Sequence, residues 1–294
     1  MNLHAKLRQR ISEQPVQSDK VTGNWRAISL CLDEDAGEFL NVGVVFAYGE
    51  KIEVRMLDTF DRIKCFYDTR VDQHDLSRLL NDIEASLYDM HGDLPSSLGN
   101  SIRLSDPLWA AGASAEAVVD TFFGDVVTLA RPRTSIESSR FRYQSTPKLR
   151  IGIFDIMKQR LHMQASRIIQ EERHQLRLRT GHHIEIDVPL LSSSASGTIV
   201  SAWYKSPLVV ENNLLQASAD LNLIRSNTDR SEAALSVLVP DAESGLSKSE
   251  FNKLDAATRR QIEKIRATGI DVLEAKDTGA LADRTIDWWR SRCA

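Results

Sequence analysis

The sequence predicts an α/β protein with two modules, and three observations lead to this prediction. Within the first 60 residues, apolar and polar residues alternate in several segments, which is typical of strands. After residue 148, helical and strand-like segments follow one another along the chain. A length of 294 residues is about twice that of a usual single domain. We therefore expect an α+β N-terminal module with an antiparallel sheet, and a C-terminal α/β module whose mixed sheet is flanked by helices.

Three alternating segments open the first module. They are Trp25–Asp33, Leu40–Tyr48 and Lys51–Leu57, and turn-forming residues at 34–38 and 49–50 separate them. Because these connections are short, the three segments are expected to pair as sequential antiparallel strands.

Two helices and a linker complete the predicted first half. Apolar residues recur at helical intervals over Asp72–Met90, which is expected to cover the sheet, and over Ala113–Phe123. Pro, Ser and Arg without a sustained period then indicate a linker. The predicted division is a polar N-terminal arm over residues 1–20, an α+β domain over 21–130, the linker over 131–147 and an α/β domain over 148–294.

The second half begins with a predicted amphipathic helix over Lys148–Arg179, which Gly181 ends. Strands are expected over His183–Leu190 and Thr198–Lys205, joined by a loop of small polar residues. The later elements are helix Glu211–Arg225, strand Ala233–Val239, helix Ser249–Ala267 and strand Ile270–Glu274. Helical crossovers between strands of this kind need a mixed sheet with helices packed on it.

Composition restricts the class of partner. Lys and Arg number 37 against 41 Asp and Glu, and the net charge of -4 gives no general attraction to nucleic acid or an anionic membrane, so any basic surface must be local. The three widely spaced cysteines are expected to be reduced thiols without metal-ligand spacing. The first 20 residues lack the apolar core of a secretion signal, and no segment approaches the roughly 18 apolar residues of a membrane span. A cytoplasmic protein is expected.

The segment Gly37-Glu38-Phe39-Leu40-Asn41-Val42-Gly43-Val44-Val45 resembles the opening of the bacterial domain-of-unknown-function 3037 (DUF3037) family. In that family a strand leads through an acidic turn to a GEFxNVGV-type strand, and the likeness covers roughly Val21 to Pro132. The resemblance implies the fold and a prokaryotic origin, and it carries no activity. In physical terms, Gly37 and Gly43 allow a tight turn and a close backbone approach, and Asn41 can bond to nearby backbone. A purely structural hairpin and a ligand site around Asn41 are both open.

One face of the strand after Gly181 is ionisable. His183, Glu185 and Asp187 point to that face because side chains alternate along a strand. With Lys205 at the end of the next strand, the layout resembles the core of the PD-(D/E)XK nuclease superfamily, in which a strand Asp and a later Glu-x-Lys hold a divalent metal and orient water. The sequence departs from that pattern at Trp203, where the second carboxylate is missing.

The resemblance implies Asp187, Glu185 and Lys205 as catalytic residues. Asp187, Glu185 and Glu172 would be the metal ligands, with Glu171 an alternative to Glu172, and Mg²⁺ or Mn²⁺ would be the cation if the domain is active. Lys205 would stabilise developing phosphate charge. The competing interpretation is that this strand face is the solvated side of a sheet. No other cofactor is indicated, and an inactive domain is favoured.

Basic residues are concentrated in the predicted helix over Lys148–Arg179 and predict a stripe that tracks phosphates. The candidate nucleic-acid-binding residues are Lys148, Arg150, Lys158, Arg160, Arg167, Arg173 and Arg177. A solvated helix face with internal ion pairs is the alternative. Near the C-terminal end, Trp288 and Trp289 are expected to dock on a core, or else to form a partner surface with Arg290.

Two functional hypotheses follow. The first is a nucleic-acid-associated protein of a bacterium or mobile element, with a nuclease-like and degenerate C-terminal domain, acting in phage and host conflict. The second is a non-enzymatic protein-interaction component or inhibitor in a defence or counter-defence system, which the incomplete catalytic motifs favour.

Overall fold

A computed structural model describes residues 20–67, 70–90, 94–130, 141–170, 173–241 and 244–292. The described residues cluster into two compact units: Met1–Leu57 with Glu84–Arg131, and Asp58–Ile83 with Pro132–Ala294. The predicted arm up to residue 19, the linker up to residue 140, and Glu171 and Glu172 lie outside the described residues.

The first unit contains the predicted antiparallel strands. β1 (Val21–Cys31) pairs with β2 (Phe39–Tyr48), and β2 pairs with β3 (Lys51–Met56). Two short strands that the sequence analysis did not predict, β4 (Ile102–Leu104) and β5 (Leu108–Gly112), also pair with β1. They have three and five residues, too few for a clear alternation to be recognised.

Three helices accompany these strands in the chain. α1 (Asp61–Tyr67) belongs to the second unit, and the division between the units falls within α2 (Gln73–Asp89). In the first unit, α3 (Ala115–Val126) packs across β1, β2, β3 and β5. Tyr88 of α2 bonds to the backbone of Val54 on β3. Ser114 caps α3 by accepting a hydrogen bond from the backbone N–H of Ala117.

The Gly-rich motif has a structural role in this sheet. Gly37 adopts the left-handed region at φ 63° in the turn before β2. A Cβ on Gly43 would lie 2.9 Å from the backbone oxygen of Arg55, so only glycine allows β3 to approach this closely. Asn41 accepts from Ser29 Oγ at 2.8 Å and donates to the backbone oxygen of Val126 at 3.2 Å. Its amide therefore joins β1, β2 and the end of α3.

The second unit contains the predicted mixed sheet. Its strands are β8 (Leu190–Leu191), β9 (Ala195–Ser201), β10 (Glu232–Leu238) and β11 (Asp271–Ala275), in the order β11-β10-β9-β8. β9, β10 and β11 are parallel to one another, and β8 is antiparallel to β9. β8 pairs only with Gly197 and Ser196 of β9, so the edge of β9 beyond Gly197 is left open.

Helices cover both faces of this sheet. The helices are α4 (Thr146–Leu161), the short α5 (Ala165–Ile168), α6 (Pro207–Asn227), α7 (Lys248–Ala267) and α8 (Thr278–Arg292). α4 packs on α8, and α6 packs on α7. Ala234 and Leu238 of β10 join the core with α4 and α8, while the alternate residues Leu235 and Val237 are also fully buried, as expected for a sheet covered on both faces.

The long helix predicted over Lys148–Arg179 is wrong. α4 ends at Leu161, a 3-10 turn follows over His162–Gln164, and the chain then returns as β6 (His174–Arg177), antiparallel to β7 (His183–Ile186). His162 has φ 47°, a left-handed conformation that a helix does not tolerate. The predicted strand His183–Leu190 is likewise divided into β7 and β8.

The adjacent indoles at the C-terminal end are core residues. Trp288 and Trp289 are 6% and 1% exposed and pack at right angles to each other in the same cluster as Leu149 and Ile153. The alternative in which they form a partner surface is therefore wrong. In the part of the chain that the structure describes, no helix combines the length and apolarity required to span a bilayer.

Replacing Gly43 should destabilise the first unit. We expect Gly43→Ala to lower the free energy of unfolding by about 1–3 kcal/mol, because the added methyl group meets the backbone of β3. Gly124→Ala is the matched control, since Gly124 lies within α3 and a Cβ there has no atom within 4 Å. Urea denaturation should show the control at or slightly above the parent stability. Equal effects of the two substitutions would contradict the close-approach role of Gly43.

Candidate functional site

The ionisable residues of the second unit converge on Arg150 of α4. Its Nη1 lies 2.7 and 2.9 Å from the two carboxylate oxygens of Asp187, which follows β7. The same guanidinium donates to the backbone oxygen of Ile199 and to Oγ1 of Thr198, both at 3.0 Å. These two residues lie on β9 just beyond the last residue paired with β8. Arg150 therefore closes the open edge of β9 and holds Asp187 against it.

A second carboxylate supports this arrangement. Asp220 on α6 is 4% exposed and accepts from the backbone N–H of Asp187 and from Gln216 Nε2, both at 3.2 Å. Burial raises the pKa of Asp220 above its usual 3.8, against the opposing effect of these hydrogen bonds. Burial also acts to raise the pKa of Asp187, but the charge and hydrogen bonds of Arg150 outweigh it and bring that pKa below 3.8.

The two predicted metal ligands that the structure describes, Asp187 and Glu185, both have other partners. Both oxygens of Asp187 are engaged by Arg150, and Glu185 accepts from Arg173 at 3.2 Å and Gln175 at 3.3 Å. Glu172 lies outside the described residues. Among the described ranges, no three His, Cys, Asp or Glu side chains are grouped to bind a metal ion. A cationic guanidinium stands against the carboxylate that Mg²⁺ would need, so these residues do not fit the cation.

Lys205 is separate from Asp187. The β9 residue beside Asp187 is Thr198, and β9 continues for three residues, about 10 Å, to Ser201 before Lys205 is reached. The backbone N–H of Lys205 donates to Asp58 at 2.8 Å, and its Nζ lies 5.7 Å from the ring centre of Phe141. The three predicted catalytic residues therefore do not share one site.

The predicted basic stripe is divided among several elements. Lys148 is half-buried in the first turn of α4, and Arg150 forms the internal contacts described above. Arg160 forms an ion pair with Asp283. Lys158 and Arg167 are exposed at the ends of α4 and α5. Only Arg173 and Arg177 come to the two-stranded sheet, so the single helical stripe was a wrong prediction.

The two-stranded sheet has one apolar and one polar face. We call β6, β7 and the turn between them, residues 174–186, the ribbon. Leu176 and Ile186 are buried on one face, and β6 contacts α6. The other face is exposed and carries the cross-strand pairs Gln175 with Glu185 and Arg177 with His183. The tip, residues 179–182, is exposed as well, and Gly181 provides its left-handed turn at φ 89°.

The cations of the ribbon differ in their pairing. Arg173, which precedes β6, pairs with Glu185 at 3.2 Å and with Asp82 at 3.7 Å. The side chains of Arg177 and Arg179 form no ion pair within the described ranges. His174, on the inner side, has its pKa lowered by burial and by the charge of Arg230. Among the described residues, the exposed face and the tip therefore present two guanidinium groups without an ion pair, those of Arg177 and Arg179.

Sequence reasoning missed Arg179 and the ribbon itself. The signal was present, because His174–Arg177 and His183–Ile186 each alternate on either side of Thr180-Gly181, a turn-forming pair. The apolar residues before position 170 have helical spacing, and the predicted helix was wrongly continued beyond them to Arg179.

Comparisons with protein-family models, curated proteins and solved structures find no match to this chain. The resemblances to the domain-of-unknown-function 3037 family and to the PD-(D/E)XK superfamily therefore stay predictions that depend on their own residues.

Removing the Arg150 side-chain contacts should destabilise the second unit. We expect Arg150→Met to lower the free energy of unfolding by about 2 kcal/mol, because it leaves Asp187 and the Ile199 carbonyl without their donor, while the half-exposed Asp187 regains some water. Arg290→Met, at an exposed position on α8, is the matched control and should stay within about 0.5 kcal/mol of the parent. Denaturant titration measures both, and equal stabilities would refute the role given to Arg150.

The same ion pair predicts a pH dependence. Since the folded pKa of Asp187 lies below 3.8, its stabilising contribution is complete above about pH 5 and is lost as the pH falls through 3.8 towards the folded pKa. Asp187→Asn should therefore be less stable than the parent at pH 7 but lose less stability between pH 5 and pH 3. Urea titrations at pH 7, 5, 4 and 3 test this, and parallel curves for parent and variant would count against it.

Proposed function

We propose that this protein binds nucleic acid through the ribbon of its second unit and does not cleave it. The observation that supports this most is the exposed ribbon face, on which Arg177 and Arg179 have no ion pair in the described structure. Guanidinium groups bind phosphate oxygens through paired hydrogen bonds. The net charge of -4 gives the chain no general attraction to nucleic acid, so binding to a phosphate backbone needs a local group of cations such as this one.

Two carboxylates near the ribbon in the described structure, Glu185 and Asp187, do not oppose this binding strongly. Glu185 is already paired with Arg173, and Asp187 with Arg150. A phosphate group near the ribbon would therefore be attracted by Arg177 and Arg179, while Glu185 and Asp187, whose charges are largely compensated, would repel it only weakly. Gln175, His183 and Thr180 add further hydrogen-bonding groups on the same exposed surface.

Absence of cleavage is part of the proposal because of where the nuclease-like residues lie. Arg150 engages both oxygens of Asp187, and Lys205 lies beyond the carboxyl end of β9. On β9, the position beside Asp187 is occupied by Thr198, followed two residues later by Val200, so neither the carboxylate nor the lysine of a Glu-x-Lys pair is present there. The proposal is a degenerate nuclease-like domain retained for binding.

A second candidate function, docking of a protein partner, has its own observation in the first unit. Leu108 and Trp109 on β5 are 52% and 71% exposed, next to each other on an outer strand of the sheet. Exposed apolar residues on an outer strand are features of strand-addition interfaces. Capture of a lysate protein that survives nuclease treatment and is lost in Trp109→Ser would favour this candidate.

Binding should depend on the ribbon cations. We expect the full chain to bind a fluorescent nucleic acid at 50 mM salt and to lose affinity steeply as salt rises, because binding releases counterions. The double variant Arg177→Ala/Arg179→Ala should lose at least about tenfold in affinity, whereas Arg290→Ala with Arg284→Ala removes equal charge from α8 and should change affinity little. Fluorescence anisotropy with DNA and RNA probes measures this. The proposal fails if neither probe binds, or if both double variants weaken binding equally.

Cleavage should be absent. We expect labelled DNA and RNA to stay intact when they are incubated with the protein and about 10 mM Mg²⁺ or Mn²⁺, the cations that carboxylate sites bind. Metal-dependent cleavage that disappears in Asp187→Ala would show that the domain is a nuclease after all.

A further inference from the structure

We infer that the nucleic acid bound by the ribbon is double-stranded DNA, and that the exposed ribbon face enters its major groove. This inference rests on the proposed function, since it names the form of nucleic acid that the same surface takes.

The dimensions of the ribbon carry the first step. It has two strands of four residues each, so it is about 13 Å long with its strands about 4.8 Å apart. The major groove of B-form DNA is about 12 Å wide and admits a two-stranded ribbon. The major groove of duplex RNA is too deep and narrow for side chains to read. A flat ribbon face therefore fits duplex DNA better than duplex RNA.

The chemistry of the exposed face carries the second step. Single-stranded nucleic acid is generally bound by aromatic rings on which unpaired bases stack. Residues 173–187 contain no Phe, Tyr or Trp, and the exposed rings of the ribbon are the small imidazoles of His182 and His183. The exposed side chains instead include Arg177, whose guanidinium can donate to phosphates and to the base-edge acceptors of guanine. Such a group suits stacked, paired bases.

Burial of the opposite face fixes the direction of approach. Leu176 and Ile186 are buried, and β6 contacts α6, so only the exposed face and the tip at residues 179–182 can contact a ligand. Glu185 accepts from both Arg173 and Gln175. Because Gln175 is engaged in this way, little sequence discrimination is expected, and affinity should come mainly from the phosphates.

Competition between forms of one sequence tests the inference. Anisotropy titrations with a duplex DNA of about 20 base pairs, each of its single strands, and the RNA duplex of the same sequence should give the tightest binding to duplex DNA, by about tenfold over the others. Methyl green, which occupies the major groove, should displace the protein, and distamycin, which occupies the minor groove, should not. Equal or tighter binding to single strands or to duplex RNA, or displacement by distamycin alone, would overturn this inference and leave the proposed function standing. No binding to any probe would overturn both.

Variants of opposite sign provide the second measurement. Arg177→Ala should weaken binding to duplex DNA on the order of tenfold at 0.1 M salt and reduce the slope of log affinity against log salt by about 1. Glu185→Gln should strengthen binding, because it removes the negative charge of the exposed face and releases Arg173. Arg290→Ala is the control, and circular dichroism should confirm that each variant is folded. An unchanged affinity in both ribbon variants would place the DNA elsewhere and refute the inference.

Discussion

The guanidinium of Arg150 joins three parts of the second unit that are distant in the chain. It comes from α4, satisfies the carbonyl of Ile199 on β9, and holds Asp187 at the end of β7. Beyond the end of β8, the edge of β9 has no neighbouring strand to pair its backbone groups. The planar guanidinium of Arg150 satisfies one of them, the carbonyl of Ile199. The ribbon begins and ends beside this contact, so Arg150 contributes to its position relative to the sheet. Asp220, which accepts from the backbone of Asp187, supports the same junction from α6.

This junction also determines which chemistry the second unit can perform. A carboxylate in contact with a fixed cation has its pKa lowered and keeps its charge, but that charge is already neutralised and offers a metal ion little gain. The interaction that positions the ribbon is therefore the one that disfavours a metal at Asp187. In the proposed function, binding is therefore assigned to the outer ribbon face, where Arg177 and Arg179 have no ion pair among the described residues.

In the first unit, residues of the segment Gly37–Val45 have structural roles. Gly43 permits the approach of β3, and Asn41 lies beside the register shift between Ile28 and Ser29, where its amide joins β1 and the end of α3. Tyr88 of α2 accepts a hydrogen bond from the backbone N–H of Val54 on β3. Burial, with the nearby charges of Glu53 and Glu84, raises the pKa of Tyr88 well above 10, so it stays a neutral phenol. In the described part of the first unit, the large apolar residues that stay exposed are Leu108 and Trp109 of β5.

Local spacing by itself determined β1 to β3, the later helices and the mixed sheet, because the periods of strands and helices are set by neighbouring residues. It also placed Glu185 and Asp187 near the same strand. Only the tertiary structure decided that residues 148–179 divide between a helix and a ribbon, since the pairing of β6 with β7 competes with a helical pattern of similar strength. It likewise decided that Arg150 pairs with Asp187, 37 positions away, and that Lys205 does not join them. Partners so distant in the chain produce no recognisable pattern in the sequence, because they come together at strand ends and edges only when the sheet has formed.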